Sequence, residues 1–323
     1  MALPEVLRDS LRLPIIGSPM FIVSGPELVI AQCKAGIVGA FPALNARPQA
    51  ALGEWITRIK DELAAYAADN PGNKVAPFAV NQICHATNER LRPDVETCVE
   101  HQVPIIITSL RPPEDVVKAV HSYGGVVFHD IISQRHAEKA AEQGVDGLIL
   151  VCAGAGGHAG PLSPFALLRE VKEWFDGTII LSGAISDGWC VASARALGAD
   201  LAYMGSRFIA TEEANAQPAY KQMLIDSAAK DVIYTPFFTG IAGSYLKPSI
   251  AAAGLDPDAL SETAAKDMNF AGREEAEAEA KAWVDIWGSG QGIGTIHDNP
   301  PVAELVDRIE AEYGEARAQL AAR

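Results

Sequence analysis

VDGLILVCAGAGGHAGP, residues 145–161, joins a short apolar run to a glycine-rich loop, and two architectures compete for it. Gly154, Gly156 and Ala159 fit the loose G-x-G-x-x-A spelling that follows a strand in nicotinamide-binding folds. That motif needs a helix to open at the glycines, because the helix N-terminus faces the pyrophosphate. Pro161 and Pro164 would cut such a helix within its first turns, since proline lacks the backbone donor and clashes with the turn before it. The stretch therefore reads as a buried strand ending in a glycine-rich loop with one titratable side chain, His158, in its middle.

Similar runs recur on both sides: PIIG (14–17), GIVGAF (36–41), VAPFAV (75–80), PIIIT (104–108), GVVFH (125–129), GLILVC (147–152), TIILS (178–182) and DLAYMG (200–205). Each is apolar almost throughout, so both faces are covered, as in parallel strands flanked by helices. Amphipathic stretches such as SQRHAEKAAEQG (133–144) and DGWCVASARALG (187–198) lie between them, each opening on an N-cap residue and closing on glycine. Eight such βα units before residue 206 predict a closed (β/α)8 TIM barrel rather than an open sheet. The rhythm then changes. Residues 213–279 show helical patterns and turns without a convincing buried strand, which predicts an inserted, mostly helical cap; the barrel would comprise 1–212 and 280–323. Within the cap, REEAEAEAKAW (273–283) reads as a solvated helix with Glu277 and Lys281 at i,i+4. WGSGQGIG (287–294) has four glycines in eight residues, a loop whose backbone can approach a ligand.

The chain has 323 residues, 49% of them hydrophobic, enough for one large core. Its 26 basic and 41 acidic residues give a net charge of -15, which argues against nucleic acid or an anionic membrane as partner. No run is long and apolar enough to span a bilayer, and MALPEVLRDS carries charge where a secretory signal is apolar, so a cytoplasmic location is expected. Cys33, Cys84, Cys98, Cys152 and Cys190 are odd in number and never in C-x-x-C spacing, so neither disulfides nor a metal site is expected.

In a barrel, function collects where strands end. Those ends carry GSPM (17–20), Asn81 and Gln82, His129 and Asp130, the GAGGH loop, SGA (182–184) and MGSRF (204–208). Ser182-Gly183 and Gly205-Ser206 follow strands seven and eight, where barrels hold phosphate through backbone N–H groups and hydroxyls, which implies a phosphorylated cofactor. Flanking glycines suit His158 to a base that must approach a ligand closely, and its ordinary pKa lies near neutrality. His129 and Asp130 read equally well as a second polar pair or as scaffold. Asp187 reads as an N-cap or first-turn acid and Arg207 as scaffold.

PIIGSPM, AVNQ (79–82), AGAGGHAG (153–160), LSGAISDGWCVASARALGADLAYMGSRF (181–208) and WGSGQG (287–292) together resemble the nitronate monooxygenases, also called 2-nitropropane dioxygenases, over nearly the whole chain. The resemblance implies FMN held by Ser18, Pro19, Met20, Asn81, Gly157, Ser182, Gly183, Ala184, Gly205, Ser206, Gly290 and Gln291. It also implies His158 as the base beside the flavin, a nitronate or nitroalkane and O2 as substrates, and a monomer or homodimer. The chain departs from many members by reading GSPM for QGGM, and from some by carrying His129-Asp130 where they carry lysine. Two alternatives stand beside this reading: an NAD(P)H:quinone or enoyl reductase on the same FMN barrel, and a flavin-free barrel lyase or isomerase acting on a phosphorylated substrate.

Overall fold

Every one of the eight apolar runs forms a strand. The computed structural model describes residues 3–111, 113–260 and 286–322 of the chain. Its strands are Ile15–Gly17 (β1), Gly39–Pro42 (β2), Phe78–Cys84 (β3), Ile105–Leu110 (β4), Val126–Ile131 (β5), Gly147–Val151 (β6), Gly157–His158 (β7), Thr178–Ser182 (β8), Leu201–Met204 (β9), Val232–Thr235 (β10) and Gly243–Leu246 (β11). Eight of them form one parallel sheet in the order β1-β9-β8-β6-β5-β4-β3-β2. A bridge between Ile16 and Val38 joins its two edges: the Gly17 N–H donates to Val38 O at 2.7 Å, and the Val38 N–H donates to Ile15 O at 3.1 Å. The result is the expected (β/α)8 barrel. Its β3 runs on to Cys84, past the predicted end, because Gln82 and Ile83 continue the register against Thr108 and Ser109.

Period-two alternation sorts the strand residues into two cores. Ile16, Ala79, Ile105, Ile107, Phe128, Ile149, Ile180 and Leu201 fill the barrel interior, where Leu7 of the short helix Glu5–Arg8 joins them. Val80, Ile106, Val127, Leu148, Ile179 and Ala202 point outward into the layer shared with the helices. Burying each such side chain stabilises the fold by roughly 1.5–3 kcal/mol. Both caps read in the sequence form. Ser133 Oγ accepts from the His136 N–H at the start of Gln134–Glu142, and Asp187 Oδ1 accepts from the Cys190 N–H at the start of Gly188–Leu197, which ends on Gly198 at φ +115°. Arg207 is scaffold: 3% exposed, it bonds Ala210 O, Asp298 O and Asp298 Oδ1, tying the end of the barrel wall to the C-terminal segment.

The segment after residue 212 departs from expectation. Helices Pro218–Asp226 and Lys247–Ala252 are present, but β10 and β11 stand between them and pair antiparallel. β11 also pairs with β7, so Gly157 and His158 form the edge of a small three-stranded sheet. Among the described residues 213–260 the segment is thus mixed rather than strand-free. VIYT carries the β-branched signal of a strand, but its sheet is completed by residues some 75 positions away in sequence, beyond the reach of any local pattern. Residues 261–279, and the helix expected at 273–283, lie outside the described residues. Among the described residues no helix is long and apolar enough to cross a membrane.

Candidate active site

The same alternation builds the barrel mouth. Above the apolar interior, Asn81, Ser109, Asp130, Ser182 and Tyr203 occupy inward positions near the strand ends, while Gln82, Thr108 and His129 point outward. His129 and Asp130 are therefore no pair, since adjacent strand residues face opposite sides of the sheet. His129 is 2% exposed, its Nδ1 lies 2.8 Å from Thr108 Oγ1, and burial, with His136 as a lesser cause, pushes its pKa down to about 4. Asp130 joins a chain inside the mouth. Asn81 Nδ2 donates to Ser109 Oγ at 2.9 Å, and Ser109 Oγ donates to Asp130 Oδ2 at 2.6 Å. Asp130 Oδ1 is shielded and has no hydrogen-bond partner among the described residues. Burial pushes this carboxyl up to about 7, the Ser109 hydrogen bond offsetting part of the rise.

The turns expected to hold phosphate meet beside this layer. The Ser18 N–H donates to Met204 O at 2.9 Å, which brings the loop after β1 to the end of β9. A Cβ on Gly205 would stand 3.4 Å from Ser18 Cβ and 3.8 Å from Met20 Sδ, ordinary contacts that would tolerate it. After β8, Gly183 at φ +135° and Ala184 at φ +53° turn the chain sharply. Ala184 is strained by about 1 kcal/mol there, and its N–H is held by Gly154 O at 3.1 Å.

The glycines of the 287–294 loop let it pack closely on neighbouring loops. The Gly290 N–H donates to Ser206 Oγ at 2.8 Å and the Gln291 N–H donates to Gly154 O at 2.9 Å, so these donors tie loops together. A Cβ on Gly290 would sit 2.8 Å from Gly154 O, and one on Gly156 would sit 2.8 Å from Gly290 N; only bare backbone packs this closely. The structure thus gathers Ser18, Met20, Gly183, Ala184, Gly205, Ser206, Gly290 and Gln291 around the 154–157 loop. Asn81 stands in the polar layer beside Ser109 and Asp130.

His158 projects from β7, close along the chain to the Gly156–Gly290 contact. Its Nε2 lies 2.8 Å from Thr239 Oγ1, and that hydroxyl donates to Ile241 O at 3.0 Å. A hydroxyl has one proton to give. A Thr239 hydroxyl that donates to Ile241 O would accept from His158 Nε2–H, the arrangement that places the imidazole lone pair on Nδ1. Burial pushes the imidazole down to about 4, well below the near-neutral value expected from sequence, so it is neutral at pH 7. Tyr234 on β10 donates to Ala159 O at 2.6 Å and clamps the same loop. Sequence reading missed Thr239, Ser109 and Tyr203. The alternation in VVFHD and IIITS carries a signal for Ser109 and the inward Asp130, whereas no local pattern marks Thr239.

A parallel eightfold barrel with glycine–hydroxyl turns after its last two strands and a half-buried imidazole at its mouth defines a barrel enzyme of cofactor-binding type. The chain matches the nitronate monooxygenase family over residues 6–312, and it belongs to that family of flavin-dependent oxidoreductases. It is 25% identical over 352 residues to a nitronate monooxygenase of Paraburkholderia phytofirmans, covering 95% of this chain and 94% of that one. It is 28% identical over 240 residues to a Mycobacterium tuberculosis (3aS,4S,5R,7aS)-5-hydroxy-7a-methyl-1-oxo-octahydro-1H-indene-4-carboxyl-CoA dehydrogenase, covering 73% of this chain but 64% of that protein. Coverage of the homologous Rhodococcus jostii dehydrogenase is 58%. Among solved structures, FabK from Thermotoga maritima superposes with a TM-score of 0.79 at 23% identity over 98% of this chain and 97% of that one. A nitroalkane oxidase from Streptomyces ansochromogenes superposes with a TM-score of 0.75 at 22% identity, over 98% and 100%.

Proposed function

We propose that the protein oxidises alkyl nitronates, and nitroalkanes after removing their α-proton, with O2 to a carbonyl compound and nitrite, using FMN. One observation carries the reading: an imidazole kept neutral by burial and set 2.8 Å from Thr239 Oγ1, beside turns suited to a phosphate-bearing cofactor. Bound FMN would supply the electron chemistry. Three features support its fit. Gly205 is bare although a Cβ there would meet Ser18 and Met20 only at ordinary contact distances, so the protein itself does not demand glycine, in line with a ligand approaching the backbone. Hydroxyls and amides at Ser18, Ser182, Gly183, Gly205 and Ser206 match a phosphate. The unpartnered Oδ1 of Asp130 matches a ring rimmed with carbonyl and imide groups. Pro19, Met20, Asn81, Gly157, Ala184, Gly290 and Gln291 would line the remaining cofactor surface. Segment 213–279 would act as a cap on the substrate side, reaching the site through β11.

In this reading His158 Nδ1 takes the proton from the carbon next to the nitro group. The low pKa makes it a weak base in the free protein, while a developing nitronate anion nearby would favour the imidazolium. Membership of a flavin-dependent family favours this reading over a flavin-free lyase. Rapid bleaching of the bound flavin by NADH would instead favour the reductase alternative. The test is His158→Asn with two substrates. For neutral nitroalkane, kcat/KM is expected to fall by roughly 100- to 10,000-fold, the span of general base catalysis, while pre-formed nitronate, which has already lost the proton, falls far less. Equal losses with FMN retained would reject the proton-transfer role.

A further inference from the structure

The carboxyl of Asp130 has no role in proton removal by His158, yet it sits in the barrel mouth with one oxygen enclosed. Three neighbours face it. Ser109 from β4 donates to Oδ2, Asn81 from β3 acts through Ser109, and Tyr203 from β9 is set close enough for the Asp130 carboxylate to disfavour ionisation of its phenol. Tyr203 is the titratable member of this group, and burial first, then Asp130, pushes its phenol well above the usual range, so it is neutral. On β6 the register partner is Ile149, and on β5 itself His129 points to the opposite face. No cation acts on Asp130 among the described residues. An ionised carboxylate here would have one donor at Oδ2, none at the shielded Oδ1 and no counter-charge, which disfavours ionisation and raises its pKa.

The chain of donors also has a direction. The Asn81 amide gives to Ser109, Ser109 gives to Oδ2, and so the open position is Oδ1. An oxygen that carries a proton needs an acceptor. Asn81, proposed above as a cofactor contact, is one hydroxyl away, so a cofactor held there would be placed near Asp130.

Building on the FMN reading, we propose that Asp130 is a protonated cofactor contact: its carboxyl takes up one proton from solvent as FMN seats and donates from Oδ1 to a carbonyl oxygen of the isoalloxazine. The proton comes from water or buffer and remains on the carboxyl, with no electron transferred. In the free protein burial already holds this group near 7, so at pH 8 it is largely ionised and has a proton to gain. A flat ring laid over the mouth removes the remaining solvent and favours the neutral form further. FMN affinity is therefore expected to weaken as pH rises above 7, by up to tenfold per unit while one proton is taken up. Below pH 6 the carboxyl is already protonated and its contribution to that slope vanishes.

The experiment measures FMN binding to apoprotein by calorimetry between pH 5.5 and 8.5, in two buffers of different ionisation enthalpy at each pH, for wild type and Asp130→Asn. The FMN phosphate titrates near pH 6 in both proteins, so the wild-type-minus-variant difference isolates the carboxyl. One proton taken up per FMN at pH 8, fading by pH 5.5 and missing from the variant, supports the proposal. Equal proton counts in both proteins overturn it. A second measurement needs no variant: the infrared difference between FMN-bound and free wild type at pH 8 should gain a protonated-carboxyl C=O stretch, and no gain overturns the proposal. Wild type that binds no FMN at any pH brings down the cofactor reading and this proposal together, whereas binding without proton uptake brings down the proposal alone.

Discussion

His158 Nε2 and Thr239 Oγ1 lie 2.8 Å apart, although 81 positions separate them in the chain. The contact joins β7 to the segment between β10 and β11, so residues distant in sequence hold the imidazole of the proposed base.

Thr239→Val keeps the shape of the side chain and removes the hydroxyl. One neutral hydrogen bond contributes about 1 kcal/mol, and 1.4 kcal/mol is a tenfold change. We therefore expect kcat/KM for a neutral nitroalkane to fall about fivefold, with a smaller change for nitronate and unchanged FMN content. Thr239→Ser restores the hydroxyl and should restore the rate. Steady-state kinetics on both substrates check this, and equal losses on both would assign Thr239 to packing alone.

Gly205→Ala tests the cofactor cradle more cleanly than a change at Gly183. A Cβ at Gly183 would meet Ala153 O at 2.8 Å on a backbone with φ +135°, so the protein itself would be strained. At Gly205 the added methyl meets Ser18 and Met20 at ordinary distances. The apoprotein should melt like wild type while the FMN dissociation constant rises by roughly tenfold or more, the loss of about 1.4 kcal/mol of contact. Calorimetry and flavin fluorescence check the two halves, and unchanged affinity would move the phosphate elsewhere.

The barrel was legible because parallel strands covered on both faces must be apolar almost throughout, and eight runs such as GLILV and TIILS carry that mark. The turns at Gly183 and Gly205 followed from their position after the last two barrel strands. β10 and β11 were missed because four-residue strands offer little periodicity, and Gly243 and Ser244 dilute the signal in GSYL. The lowered pKa of His158 escaped for a similar reason: its burial is supplied by distant residues. Asp130 stood in plain view, but reading it beside His129 as a pair ignored the alternation that sends one inward and the other outward.

Asp130→Asn should also change stability with pH. The carboxyl has a folded-state pKa raised from 3.8 to about 7. Below 3.8 it is protonated in both states and folding bears no penalty. As pH rises from 3.8 to 7, the unfolded chain ionises first and stability is lost, by up to about 4 kcal/mol at 1.36 kcal/mol per pKa unit. The amide cannot ionise, so the variant apoprotein should be the more stable above pH 7 and gain little at pH 4. Denaturant midpoints at pH 4 and 8 check the sign, and a variant less stable at pH 8 would mean that the carboxylate is stabilised by a partner.

The pH profile of kcat/KM for a neutral nitroalkane should place the acid limb well below the ordinary histidine range. That profile reports the free enzyme, in which burial holds His158 at about 4. A base works from its neutral form, so the rate stays level from pH 7 down towards 5 and then falls tenfold per pH unit below about 4. Pre-formed nitronate needs no proton removal and should lack this limb. His129, also held near 4, complicates the acid end because its protonation destabilises the fold. Its lowered pKa gives stability that is present above 6.5 and lost as pH falls from 6.5 to 4, by about 3 kcal/mol. Circular dichroism at each pH, together with the nitronate rate as an internal control, separates unfolding from protonation of His158. An acid limb near 6.5 for the nitroalkane alone would show an imidazole open to water, and would contradict the buried, Thr239-bound geometry on which the role of His158 rests.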